Sequence, residues 1–399
     1  MKKVAFLLPV MSGGGAERVA SLLANEFQKN GIDVRFILSH ANDDQVIRSD
    51  LDVGIPLVLI KQEIGSPRIP DRIKSSLLSV LSSALCKPLE ALHKPVPASF
   101  AKLSITSQYS REIKFLRGML EVEPDLAVIA FLQPTIPIAL LAARGLPNRV
   151  IISERGDPVR LMKKRYGRKF VKKYYSRADA AVFQTEDAKS VYPPCVADKG
   201  IVIPNPIIPG LPEPYQGNRN KNITTFCRIS KQKNLPLLVD AFSMLHREHP
   251  EYTLRIIGDS NNAEGDGVLQ TLKEQIAGYG IEEAVVFEPF MTNVHEAIIE
   301  DAMYVNSSDY EGISNAMLEA MAIGMPTVCT DCPIGGARAT ITDGENGLLV
   351  PIGDADALYR AMKRIAENEV LSQSLSQNAA RLRDELSLDR IAERWLKLL

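Results

Sequence analysis

The sequence predicts an α/β protein of two doubly wound domains, each a parallel β-sheet covered by helices on both faces. Short β-rich apolar runs alternate with helical patterns along both halves of the chain. The runs are almost continuously hydrophobic, which is typical of strands buried on both faces of a sheet. A chain of 399 residues also exceeds the size that one core usually supports. These observations indicate two domains of this class.

Thirteen apolar runs are predicted to be strands, and helical segments such as Ala16–Asn30 and Leu235–His249 separate most of them. In the first half the predicted strands are Val4–Pro9, Val34–Ser39, Leu57–Ile60, Leu126–Phe131, Val150–Glu154, Ala180–Gln184 and Ile201–Ile203. In the second half they are Ile223–Cys227, Thr253–Gly258, Val285–Glu288, Met303–Asn306, Thr327–Thr330 and Gly347–Val350.

Both periodicities break between Pro204 and Asn222, where prolines, glycines and a polar run follow one another. Such residues interrupt helices and strands and mark a linker. The sequence therefore predicts an N-terminal Rossmann-like domain over residues 1–206 and a C-terminal one over residues 207–369. Residues 370–399 are predicted to form final helices with no strand after them.

Charge is distributed unevenly, although the net charge is only −1. Residues 1–200 carry 30 basic and 20 acidic side chains, and the remaining residues carry 17 and 28. Opposite signs suggest that the two domains meet different partners.

No apolar run approaches the ~20 residues that span a bilayer, and the first run is interrupted by Pro9, unlike a signal peptide. A soluble cytoplasmic protein is therefore predicted.

Cys329 and Cys332 form a C-x-x-C pattern. A zinc or redox site would need partners, and the sequence supplies neither a second such pair nor a nearby histidine. Two ordinary residues beside a strand end are the favoured interpretation, and no metal site is predicted.

Two loops that follow predicted strands carry groups suited to a phosphate. The glycines at 13–15 come after the first strand, where backbone N–H groups can approach a ligand and the next helix points its positive end at it. A tight strand-to-helix turn would use the same residues. Arg228 and Lys233 lie five apart on the loop after the first strand of the second half and can converge on a diphosphate. A solvated loop would also fit this second pattern.

A third segment runs from Glu311 to Glu319. Ser314 is predicted to be the N-cap of a helix, so that Glu311 lies in the loop and Glu319 on the second turn. The two carboxylates could then bind separate hydroxyl-bearing rings, while the N–H groups of Ile313, Ser314 and Asn315 face an anion. A surface helix flanked by acids would look similar.

Taken together, these motifs resemble those of a known family. The E-x7-E spacing, the Arg-x4-Lys loop and the glycine-rich first turn are similar to those of the retaining nucleotide-sugar glycosyltransferases of family four. The resemblance includes Ile203–Pro206 and Asp343–Pro351 and covers nearly the entire chain. It implies the GT-B fold, with two facing Rossmann-like domains and a terminal helix within residues 386–399 that returns to the first domain.

The resemblance also implies roles for residues of the second domain. Arg228 and Lys233 match the pair that neutralises the donor diphosphate and the leaving group. Glu311 matches the acid beside the donor sugar, and Glu319 the acid that accepts hydrogen bonds from ribose hydroxyls. Positive charge from side chains and helix N-termini can stabilise a departing diphosphate without a metal. In a front-face route the leaving phosphate takes the acceptor proton, so that neither an enzyme nucleophile nor a cofactor is expected.

In the first domain, Gly14 and Gly15 match the loop that closes over the donor phosphates. Some relatives carry a histidine after a middle strand of this domain, next to the donor sugar. The comparable stretch here is Ser153–Pro158, which looks like a variant found among transferases that build surface polysaccharides. Glu154 and Arg155 are predicted to contact the sugar or the acceptor.

Two basic segments suggest a membrane surface as a partner. Residues 155–177 carry ten basic side chains and one acidic one, and residues 66–118 carry nine and three. Anionic headgroups attract such segments by roughly 1 kcal/mol per basic residue, although a solvated helix face would look the same. Nucleic acid is not expected, because aromatic residues are sparse among the basic ones and no nucleic-acid motif is present.

The sequence thus predicts a retaining glycosyltransferase that moves a sugar from a UDP-sugar to a lipid-linked oligosaccharide, in the synthesis of a surface polysaccharide or glycan such as capsule or lipopolysaccharide. Its expected location is cytoplasmic, peripheral on the inner face of the cell membrane. Two alternatives stay open: a transferase with a soluble acceptor, and a non-catalytic sugar-nucleotide-binding protein. A nicotinamide dehydrogenase is disfavoured by the glycine pattern.

Overall fold

The structure is a computed structural model and describes residues 1–41, 46, 50–65, 108–163, 167–260 and 263–399. It divides into two compact units. Unit 1 comprises Met1–Pro204 and Leu388–Leu399, and unit 2 comprises Asn205–Ser387. The division falls at Pro204, where the sequence suggested residue 206. It also splits the expected terminal segment, since residues 370–387 belong to unit 2 and residues 388–399 to unit 1.

The sheet of unit 1 is parallel throughout its described strands. They are β1 (Lys3–Leu8), β2 (Asp33–Leu38), β3 (Leu57–Leu59), β4 (Leu126–Phe131), β5 (Val150–Ser153), β6 (Ala180–Phe183) and β7 (Gly200–Val202). Their order across the sheet is β3-β2-β1-β4-β5-β6-β7. All six residues of β4 are buried, which explains why this strand shows no polar alternation in the sequence.

Helices lie in most of the described connections between these strands, as is usual for parallel pairing. The described helices of unit 1 are α1 (Gly15–Lys29), α2 (Ile60–Ile64), α3 (Ser110–Val122), α4 (Thr135–Ala142), α5 (Pro158–Lys163), α6 (Gly167–Tyr174), α7 (Glu186–Ser190), α8 (Pro194–Ala197) and, from the end of the chain, α16 (Leu388–Leu396).

An aromatic cluster joins the terminal helix to the core of unit 1. The ring of Phe6 in β1 lies 5.5 Å from that of Phe27 and 6.2 Å from that of Phe131. Trp395 of α16 is fully buried and stacks on Phe131 at 5.7 Å. Burial of so large an apolar area explains why the chain returns here. The predicted packing of the last helix on the first domain is confirmed.

Unit 2 contains a second parallel sheet. Its described strands are β8 (Asn222–Phe226), β9 (Thr253–Ile257), β10 (Val285–Glu288), β11 (Met303–Asn306), β12 (Thr327–Thr330) and β13 (Leu348–Val350), in the order β10-β9-β8-β11-β12-β13. Its described helices are α9 (Leu235–Glu248), α10 (Ala263–Tyr279), α11 (Val294–Ile298), α12 (Asn315–Ala322), α13 (Ala355–Glu367), α14 (Glu369–Ala380) and α15 (Leu382–Glu385).

Each sheet has one position where the strand order reverses direction. In unit 1 it lies between β1 and β4, and in unit 2 between β8 and β11. Connections leave such a pair of strands in opposite directions and open a crevice at their carboxyl ends, where doubly wound proteins bind ligands. The segments after β8 and β11 contain the motifs that the sequence singled out, 228–233 and 311–319.

The structure confirms every predicted strand to within two residues at either end, and it confirms the predicted fold class for each unit. Among the residues that the structure describes, none of the helices combines the length and the apolar character needed to cross a bilayer.

Candidate functional site

The loop after β8 brings a lysine back toward the end of that strand. Arg228 is exposed, and the chain then forms a 3-10 turn over Lys231–Lys233. Asn234 follows in the left-handed conformation with φ 43° and ψ 48°, which asparagine tolerates better than most residues. Helix α9 starts at the next residue. This reversal places Lys233 beside the segment that follows β11.

Lys233 forms an ion pair with Glu311. The Nζ atom of Lys233 donates to Oε1 of Glu311, and each side chain is 15% exposed. Ser308 Oγ donates to the same carboxylate oxygen at 3.2 Å. Burial lowers the pKa of the Lys233 ammonium, but the charge of Glu311 and its hydrogen bond outweigh burial and raise that pKa above the ordinary value. Lys233 is therefore cationic at neutral pH.

Further hydrogen bonds join the loops after β8 and β11. The Asp309 N–H donates to the Gln232 carbonyl at 3.0 Å, and Asn234 Nδ2 donates to Asp309 Oδ1 at 2.7 Å. Ser307 Oγ donates to the Lys233 carbonyl at 2.9 Å. These bonds fix the backbone on both sides of the ion pair, so the positions of Lys233 and Glu311 are preorganised.

Helix α12 begins as the sequence predicted. Ser314 is its N-cap, and the Ser314 hydroxyl accepts from the Met317 N–H at 3.4 Å. Asn205 supports the same turn, because its Nδ2 donates to the Ile313 carbonyl at 3.2 Å and to Asn315 Oδ1 at 2.6 Å. The first N–H groups of a helix have no partner within the helix. The binding of an anion by the N–H groups of Ile313, Ser314 and Asn315 stays a prediction.

Glu319 lies on the second turn of α12, as predicted, and is 3% exposed. Its Oε2 is 2.9 Å from Nε2 of His295, which is itself 6% exposed and belongs to α11. His295 was not singled out from the sequence, because it lies 24 residues before Glu319 on a helix too short to show a periodic pattern.

Glycines let neighbouring loops of unit 2 approach closely. A Cβ atom on Gly336 would lie 1.5 Å from the Gly312 carbonyl oxygen, and one on Gly258 would lie 2.0 Å from the Cys227 carbonyl oxygen. Gly258 also has φ +138°, a backbone conformation that L-residues rarely adopt. Backbone packing at Gly336 thus supports the loop of Glu311, and packing at Gly258 supports the start of the loop of Arg228.

Cys329 and Cys332 are buried free thiols. The Cys332 Sγ donates to the Ser308 carbonyl at 2.9 Å. Burial raises the pKa of Cys332 to about 11 and raises that of Cys329 further. A thiol of raised pKa is a poor nucleophile and a poor metal ligand at neutral pH, which agrees with the interpretation of this pair as ordinary packing residues.

In unit 1 the glycine turn before α1 is occupied by the Glu17 side chain of that helix. The buried carboxylate of Glu17 accepts from the Gly14 N–H at 2.9 Å and from the Ser12 N–H at 2.5 Å. It therefore neutralises the positive end of α1, which starts at Gly15. This role of Glu17 was not predicted from the sequence. The predicted contact of Gly14 and Gly15 with donor phosphates stays a prediction.

Arg155 follows β5 and packs on aromatic rings of unit 1. Its guanidinium carbon lies 5.2 Å from the ring centre of Phe131 and 5.7 Å from that of Trp395, and its Nε donates to Ser153 Oγ at 2.9 Å. Burial lowers the pKa of Arg155 to about 9, so the group is still cationic at neutral pH. Stacking on two rings gives Arg155 a positioning contact that the sequence did not indicate, and its predicted contact with a sugar is untested.

Glu154, the other predicted contact in this stretch, belongs to a hydrogen-bonded chain. Gln133 Nε2 donates to the Tyr175 hydroxyl at 2.8 Å, and that hydroxyl is hydrogen-bonded to Glu154. Burial and the charge of Glu154 raise the pKa of Tyr175 well above its ordinary value. The phenol is therefore protonated and can donate to the carboxylate. The predicted sugar or acceptor contact of Glu154 is likewise untested.

The basic segment 155–177 is described except for residues 164–166. Its basic side chains on α5 and α6 are exposed, while Leu161, Phe170 and Val171 of the same helices are buried. The exposed set is Arg160, Lys163, Arg168, Lys169, Lys172 and Lys173. Of the second basic segment, residues 66–107 lie outside the described residues.

One surface cluster has the composition of a metal site. Glu248, His249 and Glu367 bring their ligand atoms within 4.8 Å of one another. Lys363 already pairs with Glu248, and it lies 3.8 Å from Glu367. The cluster joins the carboxyl ends of α9 and α13, whereas Lys233 and Glu311 lie at the carboxyl ends of the strands. It contributes nothing to the candidate site.

Two relatives and one solved structure illustrate what this chain is similar to. An uncharacterized glycosyltransferase of Haemophilus influenzae is 23% identical over 410 residues, covering all of both chains. The N-acetylgalactosamine-N,N'-diacetylbacillosaminyl-diphospho-undecaprenol 4-alpha-N-acetylgalactosaminyltransferase of Campylobacter jejuni is 27% identical over 181 residues, covering 45% of this chain and 47% of the relative. The crystal structure of HepE from Anabaena with UDP-glucose matches with a TM-score of 0.74 at 16% identity, covering 100% of this chain and 99% of HepE.

The structural match supports the GT-B fold expected from the sequence. A further match concerns unit 2 alone, where the ion pair and the helix start of the candidate site lie. Residues 214–382 match the family described as Glycosyl transferases group 1. The stretch that contains Arg228, Lys233, Glu311 and Glu319 therefore carries the sequence pattern of the group 1 glycosyl transferases.

Proposed function

We propose that this protein is a retaining glycosyltransferase that moves a sugar from a UDP-sugar to a lipid-linked oligosaccharide in surface polysaccharide or glycan synthesis. The observation that carries the proposal is the Lys233–Glu311 ion pair at the carboxyl ends of β8 and β11. A preorganised cation and a carboxylate at the strand-order reversal suit a donor that consists of a diphosphate and a sugar. The group 1 pattern of residues 214–382 supports it.

In the proposed reaction, the bond between the anomeric carbon and the diphosphate oxygen breaks, and its electron pair goes to that oxygen. Lys233 and Arg228 stabilise the negative charge that develops there. The acceptor hydroxyl attacks from the same face, and its proton passes to the leaving phosphate. The configuration at the anomeric carbon is retained, and two side-chain cations supply the positive charge that a metal would otherwise provide. Glu311 stabilises positive charge that develops on the sugar.

The proposed acceptor is lipid-linked, which places the enzyme at the inner face of the cell membrane. Exposed basic side chains on α5 and α6 support this part, because they can meet anionic headgroups or the diphosphate of a polyprenyl carrier. The Campylobacter jejuni relative is named for a diphospho-undecaprenol acceptor. A soluble acceptor is the alternative.

The donor is tested by incubating the protein with a panel of nucleotide sugars and measuring slow release of the nucleoside diphosphate by hydrolysis. We expect UDP release from one UDP-sugar and much less from ADP- or GDP-sugars, with Lys233→Ala as the inactive control. Proton NMR of the product then reports its anomeric configuration. Binding of UDP-sugars with no UDP release, even with acceptor present, would favour the non-catalytic alternative.

The membrane part is tested separately by sedimentation with liposomes that contain anionic lipid. Changing Lys163, Lys172 and Lys173 to glutamine should weaken binding by about fivefold per residue, since each basic residue contributes roughly 1 kcal/mol near such a surface. The matched control changes three exposed lysines elsewhere, Lys29, Lys273 and Lys397. If the unaltered protein does not bind these liposomes, the soluble acceptor becomes the better hypothesis.

A further inference from the structure

His295 and Glu319 form a buried polar pair that the proposed reaction does not yet use. His295 lies on α11 and Glu319 on α12, and the two helices bring His295 Nε2 within 2.9 Å of Glu319 Oε2. Their side chains are 8% and 4% exposed. An ionised carboxylate only accepts hydrogen bonds. The imidazole therefore donates through Nε2. This bond makes the two ring nitrogens of His295 inequivalent.

The ring of His295 is itself held in place. It meets the ring of Phe226 edge-on, with the ring centres 5.8 Å apart. Phe226 is the last residue of β8 and lies two residues before Arg228. The aromatic contact, the hydrogen bond and the short helix α11 leave His295 little freedom. The N–H group that His295 donates is thus fixed relative to β8, the strand that leads into the loop of Arg228 and Lys233.

Stability alone gives little reason for this pair. A buried ionic or polar pair costs desolvation, and well-packed apolar residues of similar volume often stabilise a protein as well or better. The neighbours of Glu319 on α12, Leu318 and Ala320, are apolar and fully buried, so this helix already packs through aliphatic contacts. A carboxylate held here is better explained by what it binds.

We infer that His295 is a positioning residue that fixes the rotamer of Glu319 so that the carboxylate accepts hydrogen bonds from the ribose hydroxyls of the donor. The inference rests on the proposed function and on the ribose contact that the family resemblance implies for Glu319. A carboxylate offers about four acceptor positions, and the bond from His295 occupies one of them. Loss of that bond removes one of the contacts that hold the Glu319 side chain, so more of its ordering entropy must be lost when the donor binds.

The test compares UDP with 2'-deoxy-UDP, two ligands that differ in one ribose hydroxyl. A hydrogen bond to a charged group is worth about tenfold to hundredfold in affinity, so the wild-type protein should prefer UDP by about that factor in calorimetric titrations. His295→Leu should reduce the preference to about threefold or less, and the affinity for 2'-deoxy-UDP, which keeps one ribose hydroxyl, should fall less than that for UDP. His295→Gln should retain most of the preference, because its amide nitrogen can donate in place of Nε2.

Glu319→Leu serves as the reference for complete loss of the carboxylate and should abolish the preference. An unchanged preference in His295→Leu would overturn the inference and leave the proposed function intact. The inference would likewise be overturned if both His295 variants lost the preference and both also lost 2'-deoxy-UDP affinity and melting temperature to the same extent. His295 would then have a purely structural role. A wild-type protein that binds neither ligand would overturn the proposed function, and the inference with it.

Discussion

Lys233→Ala is expected to lower kcat/KM for sugar transfer by about 10²- to 10³-fold, the usual effect of removing one preorganised group that stabilises charge in a transition state. Lys233 is cationic, and Glu311 and the loop after β11 hold it in place. Negative charge on the leaving diphosphate is largest in the transition state, so the loss should appear mainly in kcat. Initial rates of UDP release with saturating donor and acceptor measure it.

Lys231→Ala is the matched control, because Lys231 belongs to the same 3-10 turn and is exposed. It removes the same charge from the same loop and should change kcat/KM by less than about threefold, since exposed charges are screened by solvent. Lys233→Arg keeps the charge but replaces a compact ammonium by a wider planar group, and it should recover only part of the activity.

Glu311→Ala extends the same test to the other member of the ion pair. It removes the carboxylate that raises the pKa of Lys233 and that lies beside the proposed sugar position, so kcat should again fall by at least about 10²-fold. Residues that act as one unit are not additive, and the double variant should be hardly slower than either single variant. Near-normal sugar transfer by both single variants would remove this site assignment.

The sequence is informative about this fold because the fold depends on local patterns. Buried parallel strands such as β4 are uninterrupted apolar runs, and a run of this kind between helical segments allows few other interpretations. Ser314 could be identified as an N-cap because capping depends on one side chain and the next three residues. The segments of Lys233 and Glu311 could be grouped through their resemblance to family motifs, because the strand order that places both at the reversal between β8 and β11 is not a local pattern.

Contacts between distant residues could not be predicted in this way. The stacking of Arg155 on Trp395 joins residues that are far apart in sequence. Neither residue lies in a sequence pattern that indicates this contact. Glu319 and His295 meet because two separate helices converge. Glu17 is a different case: its bond to the Gly14 N–H spans three residues and has the spacing of a capping box. That signal was present, but glycine at the cap position lacks the side chain that completes it.

Gly336→Ala is expected to be the most disruptive single-methyl change near the candidate site. The added Cβ atom would lie 1.5 Å from the Gly312 carbonyl oxygen and 2.4 Å from its carbon. Both are backbone atoms, so no side-chain rotation can relieve the overlap and one of the two loops must shift. Overpacking usually costs about 1–3 kcal/mol, and a displacement of about 1 Å at a reacting group can cost about 10²-fold in rate.

Because Gly312 directly follows Glu311, this shift should lower both the free energy of unfolding in urea and kcat/KM of the protein that remains folded. Gly267→Ala is the matched control: Gly267 is exposed on α10 of the same unit, and a Cβ atom there meets nothing within 4 Å. In a helix interior this change should stabilise by about 0.5–1 kcal/mol and leave sugar transfer unchanged. If Gly336→Ala retained wild-type activity and stability, then the close approach of these two backbones would not support the loop that holds Glu311 against Lys233.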